Sequence, residues 1–358
     1  MINKRKAAKI SVVFSFYNEE QVLPELLTRL RAVFAQIILE KMIGSYELIF
    51  VNDNSTDQSE TILRTEMPQG DIVLINMTRN FGVSECVMAG MSQAKGDAVI
   101  YMDADLQDPP EVIPKLIKAW QADPEVDVVY TTRTRRHGEH PLKMLVTKIG
   151  YRLINMISEI ELPIDSGDFK LLSRCVVERL LELKEDKPYL RGLVSWIGYK
   201  QTQVFYDRDP RFDGRENTKM RILSRKVLYY WLDRALISFS DAPLKVILLL
   251  GFVLSSVSIG YIAVIIIQKL MGWYVPGWPA LMSAVLLLGG IQIMMLGFIG
   301  LYVGAIFRET KRRPRYLVKD IVTQESSSSP ILRPAACTQD KDLSLRPAAC
   351  PRDKERIL

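Results

Sequence analysis

Short apolar runs alternate with amphipathic stretches over the first third of the chain. The runs predict five strands, and the stretch from Glu20 to Glu40 between the first two has apolar residues at helical spacing. Apolar strands that alternate with helices are typical of a parallel sheet covered on both faces. We therefore predict an α/β domain with strands at Ile10 to Phe16, Tyr46 to Asn52, Asp71 to Asn76, Asp97 to Met102 and Val126 to Thr131.

Three further stretches follow this first region. Residues 140–161 and 173–195 have helical spacing, and residues 199–206 predict another strand. Residues 220–239 mix basic and large apolar side chains at helical spacing. That mixture favours a helix lying in a membrane interface over an ordinary core helix.

Two later segments, residues 246–268 and 279–307, contain almost no ionisable side chains. Each is longer than the roughly 20 residues that a helix needs to cross a hydrocarbon core of about 30 Å. Helices of soluble proteins rarely run so far without a charge, so we predict a two-helix transmembrane hairpin. Gly300 and Gly304 form a GxxxG pair that allows close helix contact, either within the hairpin or between subunits of a homo-oligomer.

Basic residues flank the outer ends of this hairpin, whereas Lys269 is the one lysine between the two spans. The positive-inside rule therefore places both termini and the α/β domain in the cytoplasm. The formal net charge of +6 is concentrated beside the predicted spans, which suits anionic lipid headgroups. No nucleic-acid motif accompanies it, and nucleic acid is not expected as a partner.

These patterns divide the chain into five parts. They are residues 1–215, the cytoplasmic α/β domain; 216–243, interfacial amphipathic helices; 244–308, the two spans; 309–323, a basic juxtamembrane segment; and 324–358, a tail. The tail is Ser-rich and repeats Leu-Arg-Pro-Ala-Ala-Cys, a composition typical of disorder. The four cysteines are widely spaced without a CxxC pair, which favours a reduced cytosolic setting and no structural zinc.

Polar clusters follow four of the predicted strands. Parallel sheets bind ligands beyond the carboxyl ends of their strands, where these clusters converge. Each cluster alone also fits a turn or a helix cap, and only their convergence favours a ligand site. The clusters are Tyr17 to Glu20, Asn52 to Asp57, Thr78 to Gly82 and Asp103 to Pro110.

Asp103 and Asp105 place two carboxylates on one side of an extended chain, where they repel each other unless a cation neutralises them. Mg²⁺ and Mn²⁺ commonly bind one or two carboxylates together with phosphate oxygens of a substrate. The pair therefore predicts a metal site for a phosphate-bearing substrate, although a solvated helix cap also fits these two residues. His137 and His140, the only histidines, lie in a polar loop, which argues against zinc or histidine-dependent chemistry.

Seven motifs, in order and spacing, resemble the polyisoprenyl-phosphate glycosyltransferases of glycosyltransferase family 2, which have the GT-A (Rossmann-like) fold. The chain is similar to bactoprenol glucosyltransferases and dolichol-phosphate mannose synthases from about residue 9 to 320. The motifs are Phe16-Tyr-Asn-Glu-Glu20, Phe50-Val-Asn-Asp-Asn-Ser-Thr-Asp57, Arg79-Asn-Phe-Gly82, Met102-Asp-Ala-Asp-Leu-Gln-Asp-Pro-Pro110, Asp165-Ser-Gly-Asp-Phe169, Arg191-Gly-Leu-Val-Ser-Trp196 and Arg313-Pro-Arg-Tyr316.

The resemblance implies that Asp53 holds the nucleotide base or ribose, and that Asp103 and Asp105 bind a metal on the sugar-nucleotide diphosphate. The remaining residues expected to bind the nucleotide sugar are Tyr17, Asn18, Glu19, Arg79 and Ala104.

Asp165 and Asp168 match an acidic segment in which the family's catalytic base has been proposed. A lipid phosphomonoester has a second pKa near 6 and is already largely dianionic at neutral pH, so a strong base is not required. Positioning the acceptor, or stabilising positive charge on the sugar, is an equally good role for either carboxylate, and plain turn or cap residues remain an alternative.

The acceptor phosphate needs cations, and arginine suits bidentate phosphate contacts. Two or three of the following are expected to provide them: Arg133, Arg136, Arg191, Arg208, Arg211 and Lys219. The chain departs from the family pattern around Lys219, which weakens that assignment. Milder departures are Ser15, Asn52 and Asn54, while Leu301 and Ala305 replace charged residues at the membrane boundary.

The resemblance thus implies an integral membrane enzyme, most simply in a bacterial inner membrane. It would transfer one hexose, with inversion, from a nucleotide sugar (UDP-glucose first) to undecaprenyl phosphate or a related lipid. Transfer from GDP-mannose and a non-catalytic, membrane-anchored sugar-nucleotide binding protein are the alternatives. A processive polysaccharide synthase is disfavoured, because the chain lacks a Gln-x-x-Arg-Trp element and enough helices for a polymer channel.

Overall fold

The computed structural model describes residues 5, 7–134, 166–183, 185, 188–214 and 277–324, together with residues 253, 260, 267, 270 and 271. Several predicted elements lie outside these residues. They are the helix at 140–161, the interfacial helices at 216–243, nearly all of the first span at 246–268, and the tail after residue 324.

All five strands predicted in the first region are confirmed within two residues, and so is the strand predicted at 199–206. The strands are β1 (Lys9–Phe16), β2 (Ser45–Asn52), β3 (Ile72–Met77), β4 (Ala98–Asp103), β5 (Val128–Arg133), β6 (Ser166–Ser173), β7 (Gln201–Tyr206) and β8 (Val318–Val322). The helices are α1 (Leu23–Leu39), α2 (Ser59–Glu66), α3 (Val83–Gln93), α4 (Ile113–Ala122), α5 (Arg174–Glu182), α6 (Leu190–Trp196) and α7 (Trp278–Thr310).

The helical character predicted for residues 173–195 is confirmed at both ends of the stretch, as two helices, α5 and α6. The chain leaves the helical conformation at Leu183, which is extended. Pro188 follows shortly, and a proline disfavours helical geometry at the residue before it. The break brings Arg191, in the first turn of α6, to the sheet edge described below.

The described strands form one sheet in the order β7-β5-β6-β4-β1-β2-β3-β8. Strand β1 is parallel to β2 and β4, β2 is parallel to β3, and β5 is parallel to β7. Strand β6 runs antiparallel to both β4 and β5, and β8 runs antiparallel to β3. The predicted α/β fold is therefore confirmed, but the sheet is mixed. Because β6 is reversed, its first residues lie beside the carboxyl end of β4.

Helices cover both faces of the sheet. On one face α1 buries an apolar stripe that includes Leu26, Leu30 and Phe34, and Phe14 stacks on Phe50 with ring centroids 4.7 Å apart. On the other face α3 approaches β1 at Gly90, where a Cβ would lie 2.3 Å from the Val13 side chain. This close packing holds α3 against the sheet. The polar edge is the side of the sheet where the polar clusters follow the carboxyl ends of β1 to β4.

One described helix is long and apolar enough to cross a membrane. Helix α7 has 33 residues, and the candidate span within it, Leu287–Thr310, has a mean hydropathy of 1.9. The predicted two-helix hairpin is not supported by the described part of the chain, which contains this single candidate. The sheet belongs to one compact unit and α7 to a second.

The segment 309–323, predicted from its basic residues alone, contains a strand that the sequence pattern did not indicate. Strand β8 extends the sheet beyond β3, and the backbone N–H of Thr78 donates to the carbonyl of Leu317 at 3.0 Å. The buried amide of Asn76 donates to Asp320 at 2.7 Å. The chain after α7 is therefore part of the sheet domain.

Candidate active site

The loops after β1 and β2 form the first part of the polar edge. Asn18 and Asn54 adopt left-handed backbone conformations with φ of 59° and 63°, which asparagine tolerates better than most residues. The Asn18 side chain accepts from the backbone N–H of Thr56 at 2.8 Å, and the Asn18 N–H donates to the Ser55 hydroxyl at 3.0 Å. These bonds join the two loops, as expected if both face one ligand.

Asp53 lies immediately after β2 and is buried. Its carboxylate accepts hydrogen bonds from the backbone N–H groups of Phe81 at 2.7 Å and Gly82 at 3.0 Å. The neighbouring Cys86 thiol has a raised pKa because it is buried and lies beside Asp53. Asp53 therefore holds the loop before α3 in place, a contact that the sequence did not indicate. The role in nucleotide binding expected for it stays a prediction.

Asp103 ends β4, and the buried Ala104 separates it from Asp105. Burial, followed by the charges of Asp168, Asp105 and Asp108, raises the pKa of Asp103 to about 8. Burial is also the main cause that raises the pKa of Asp105, whose carboxylate accepts from the backbone N–H of Gln107 at 3.0 Å. Negative charge is thus in excess at this edge, the condition under which a cation is stabilised.

The donor set fits a hard divalent cation such as Mg²⁺ or Mn²⁺, because it consists of carboxylate oxygens. In the described part of the chain, no three Asp, Glu, His or Cys side chains cluster as a complete metal site. Asp103 and Asp105 would supply two carboxylates to such a cation, and phosphate and water would supply its other ligands. This is the coordination expected from the sequence, although a bound metal remains a prediction.

Asp168, near the start of β6, forms a paired ionic contact with Arg191. The Arg191 Nε donates to one carboxylate oxygen at 2.6 Å, and Nη2 donates to the other. Burial alone would raise the pKa of Asp168, but the hydrogen bonds and charge of Arg191, together with Lys170 and Arg133, hold this pKa below its ordinary value. Asp168 is therefore an ionised carboxylate beside Asp103.

The loop after β4 is held by residues from distant parts of the chain. Asp108 is 1% exposed and accepts from the hydroxyl of Tyr206, to which the Arg133 Nε donates at 3.2 Å. The Arg208 Nη2 donates to the Gln107 side-chain oxygen at 2.6 Å. Arg133 and Arg208, predicted to bind the acceptor phosphate, are thus tied to the loop that follows the carboxylate pair.

Arg211 and Glu19 are also engaged with each other. The Arg211 Nη2 donates to a Glu19 carboxylate oxygen, and its Nε donates to Asp213 at 2.9 Å. Burial raises the pKa of Glu19, and Arg211 partly offsets that rise. The structure therefore brings Glu19 and Arg211, predicted for different substrates, into one ion pair.

The other predicted site residues divide into two groups. Tyr17 is 47% exposed, and the Arg79 guanidinium lies over the Phe81 ring, 3.9 Å from its centroid. Both are at the open side of the edge. Asp165, Arg136 and Lys219 lie outside the described residues, as do His137 and His140.

The sequence reasoning missed Lys170, Tyr206, and the roles of Gln107 and Asp108. The signal for Lys170 was available, because an ionisable residue within the apolar run Phe169-Lys-Leu-Leu172 is rarely buried without a reason. Tyr206 and Asp108 carry no such signal, since their contact joins residues 98 positions apart.

Comparisons with known proteins identify a family and several relatives of this chain. The family model described as glycosyl transferase family 2 matches residues 11–181. An uncharacterized glycosyltransferase of Synechocystis sp. is 40% identical over 87% of this chain and 95% of the relative. A bactoprenol glucosyl transferase of Shigella phage SfX is 37% identical over 87% of this chain and 99% of the relative. A prophage bactoprenol glucosyl transferase homolog of Escherichia coli is 36% identical over 87% of this chain and 99% of the relative.

Proposed function

Because the chain belongs to glycosyltransferase family 2, we propose that it transfers a single hexose from a nucleotide sugar to a polyisoprenyl phosphate. The observation that carries the proposal is the cluster of Asp103, Asp105 and the Asp168–Arg191 pair at one sheet edge. Relatives named bactoprenol glucosyl transferase support a lipid carrier as acceptor. UDP-glucose and undecaprenyl phosphate are the first substrates to test, and GDP-mannose is the alternative donor.

Asp103 and Asp105 would hold Mg²⁺ or Mn²⁺ together with the diphosphate of the nucleotide sugar. When bound, the metal supplies positive charge that neutralises the departing nucleoside diphosphate. The loops that carry Tyr17, Asn18 and Arg79 lie at the same edge and provide donors for the nucleotide. Asp53 supports this part of the site by fixing Phe81 and Gly82.

The transfer forms a bond between an acceptor phosphate oxygen and the anomeric carbon, and it breaks the bond from that carbon to the diphosphate. Attack from the side opposite the leaving group inverts the anomeric carbon. A dianionic lipid phosphate needs no strong base. We assign to Asp168, kept ionised by Arg191, the stabilisation of positive charge that develops on the sugar. Asp165 is retained as a second candidate for this role.

The acceptor phosphate subsite is proposed beside Asp168. Arg191 contacts this carboxylate directly, and the charge of Arg133 reaches it as well. Guanidinium groups already oriented by Asp108, Tyr206 and Asp168 lose little conformational freedom when they bind phosphate. We rank Arg191 and Arg133 first because they act on Asp168. The hydrogen bonds of Arg208 and Arg211 go instead to Gln107, Glu19 and Asp213.

The proposed lipid acceptor and the apolar helix α7 support a membrane location. We propose that α7 and residues 246–268 form a two-helix anchor with both termini and the sheet domain on the cytoplasmic side, in a bacterial inner membrane. The Gly300 and Gly304 pair in α7 is available for contacts within the anchor or between subunits of a homo-oligomer.

The full-length protein in detergent tests this function directly. Radiolabelled UDP-glucose, GDP-mannose, UDP-galactose and an amino-sugar nucleotide are each incubated with undecaprenyl phosphate, with and without EDTA. Wild type and Asp123→Asn, which alters an exposed carboxylate paired with Lys200, should label the lipid from one donor. Asp103→Asn and EDTA should abolish the labelling. Binding of a nucleotide sugar without any transfer would replace the enzyme proposal with a binding protein.

A further inference from the structure

Lys170 lies in the middle of β6 and is fully buried. Neither its ammonium group nor the hydroxyl of Tyr101, its partner on β4, has a hydrogen-bonding partner among the described residues. A buried ammonium without hydrogen bonds strongly destabilises the folded state. Methionine would fill a similar volume without that cost, so stability alone does not account for a lysine here.

The strand geometry places Lys170 directly beneath the carboxylates. Side chains alternate along a strand, so Asp168 and Lys170 share one face of β6 and are separated by about 7 Å along the strand. Tyr101 and Asp103 share the corresponding face of β4. Since Tyr101 pairs with Lys170, Asp103 and Asp168 follow on the same face of the two strands, nearer the open edge.

Charged groups surround Asp168 on the face of β4 and β6 that also carries Lys170. Asp168 lies among acidic residues, with Asp103 beside it on β4 and Asp105 and Asp108 in the loop beyond. Arg191 contacts Asp168 from α6, and Lys170 attracts the same carboxylate from the interior of the sheet. Three cations therefore act on Asp168: Arg191 at the rim, Arg133, and Lys170 from below.

We infer that Lys170 is a positioning residue, which together with Arg191 holds the Asp168 carboxylate in its ion-paired orientation. The inference rests on the proposed function, because it assigns Lys170 to the step in which Asp168 faces the sugar. Lys170 itself does not touch the substrate, since its side chain is enclosed. Its loss should therefore lower kcat and leave the binding of the nucleotide sugar nearly unchanged.

A double-mutant cycle in the full-length chain tests this coupling. Lys170→Met should lower kcat about 10- to 50-fold, because it removes a charge about 7 Å from Asp168 in a partly screened site. The KM for the nucleotide sugar should stay within about twofold of wild type. In an Asp168→Asn background, where transfer is followed for hours by radiolabel, Lys170→Met should cause no further loss. Lys170→Arg, which keeps the charge, should recover part of kcat.

Leu172→Met is the matched control. Leu172 is buried two residues further along the same face of β6, so this change perturbs packing without altering charge. It should retain the kcat of wild type. The inference is overturned if Lys170→Met retains full kcat. It is also overturned if Lys170→Met lowers kcat by the same factor in the Asp168→Asn background as in wild type. If wild type transfers no sugar to any lipid, the proposed function fails and the inference fails with it, an outcome distinct from an active Lys170→Met.

Discussion

Arg191 donates two hydrogen bonds to the carboxylate of Asp168. The pair joins α6 to β6 and places an ionised carboxylate beside Asp103 at the edge where β4 ends. The motifs that contain these residues suggested different tasks, acceptor binding for Arg191 and catalysis for Asp168. The structure joins the two residues in one ion pair.

Arg191→Lys should lower kcat about 100-fold, because lysine cannot form the paired hydrogen bonds and Asp168 loses its fixed orientation. The KM for the lipid acceptor should rise as well if Arg191 also contacts the phosphate. Arg179→Lys, which alters an exposed pair with Glu182 on α5, should leave both constants unchanged. Equal kcat and KM for Arg191→Lys and wild type would show that this ion pair does not contribute to catalysis.

Metal binding can be measured apart from turnover. Mn²⁺ at about 100 times its Kd should stabilise the EDTA-treated protein by about 2.7 kcal/mol, since it binds the folded state alone. Thermal unfolding should show this rise in wild type and Asp123→Asn but not in Asp103→Asn or Asp105→Asn. An equal rise in all four proteins would place the metal elsewhere.

Lys170→Met should unfold at a higher temperature than wild type at neutral pH. Burial lowers the pKa of Lys170 from 10.5 to about 8, so the folded state opposes its protonation and stability falls as pH drops from about 10.5 to 8. The variant should be more stable by up to about 3 kcal/mol below pH 8, and the difference should vanish near pH 10.5.

Thermal unfolding of the two proteins between pH 7 and 10.5 measures this difference, with Leu172→Met as the control for packing. A difference that does not change with pH would show that the gain comes from packing rather than from removal of a buried charge.

The docking of β8 can be tested at the sheet edge. Asn76→Ala removes the hydrogen bond to Asp320 and those to Asn52 and Glu60, so it should lower the free energy of unfolding by about 1 to 3 kcal/mol. Hydrogen exchange should then increase at Val318–Val322.

The exposed Gln36→Ala, which loses one bond to Glu40, should change neither the free energy of unfolding nor the exchange at β8. Unchanged exchange in Asn76→Ala would show that the backbone ladder alone holds β8.

Local patterns were enough to predict the first five strands and the carboxylate edge, because apolar runs and the polar clusters behind them are contiguous in the chain. They did not indicate β8, because its five residues join the sheet through β3, more than 240 positions earlier. The reversed β6 was missed for a related reason. Its pairing with β4, rather than its own composition, decides that Asp168 lies beside Asp103.

The acceptor-phosphate arginines show a second limit of sequence reasoning. A basic residue near a motif has no visible partner in the sequence, so the sequence does not show which two or three of the six candidates bind phosphate. Arg133 and Arg211 instead have ionic partners in Asp108 and Glu19. The tertiary structure sets these ion pairs, with which any bound phosphate would have to compete.

The proposed transfer of one hexose to a lipid phosphate is tested most directly by mass spectrometry of the lipid product. Wild type, UDP-glucose, undecaprenyl phosphate and Mn²⁺ should yield undecaprenyl phosphate with one added hexose, and Asp103→Asn should yield none. A product with several hexoses would contradict single transfer. Release of UDP with no sugar on the lipid would show that the lipid phosphate is not the acceptor. It would also overturn the roles proposed for Asp168, Arg191 and Lys170.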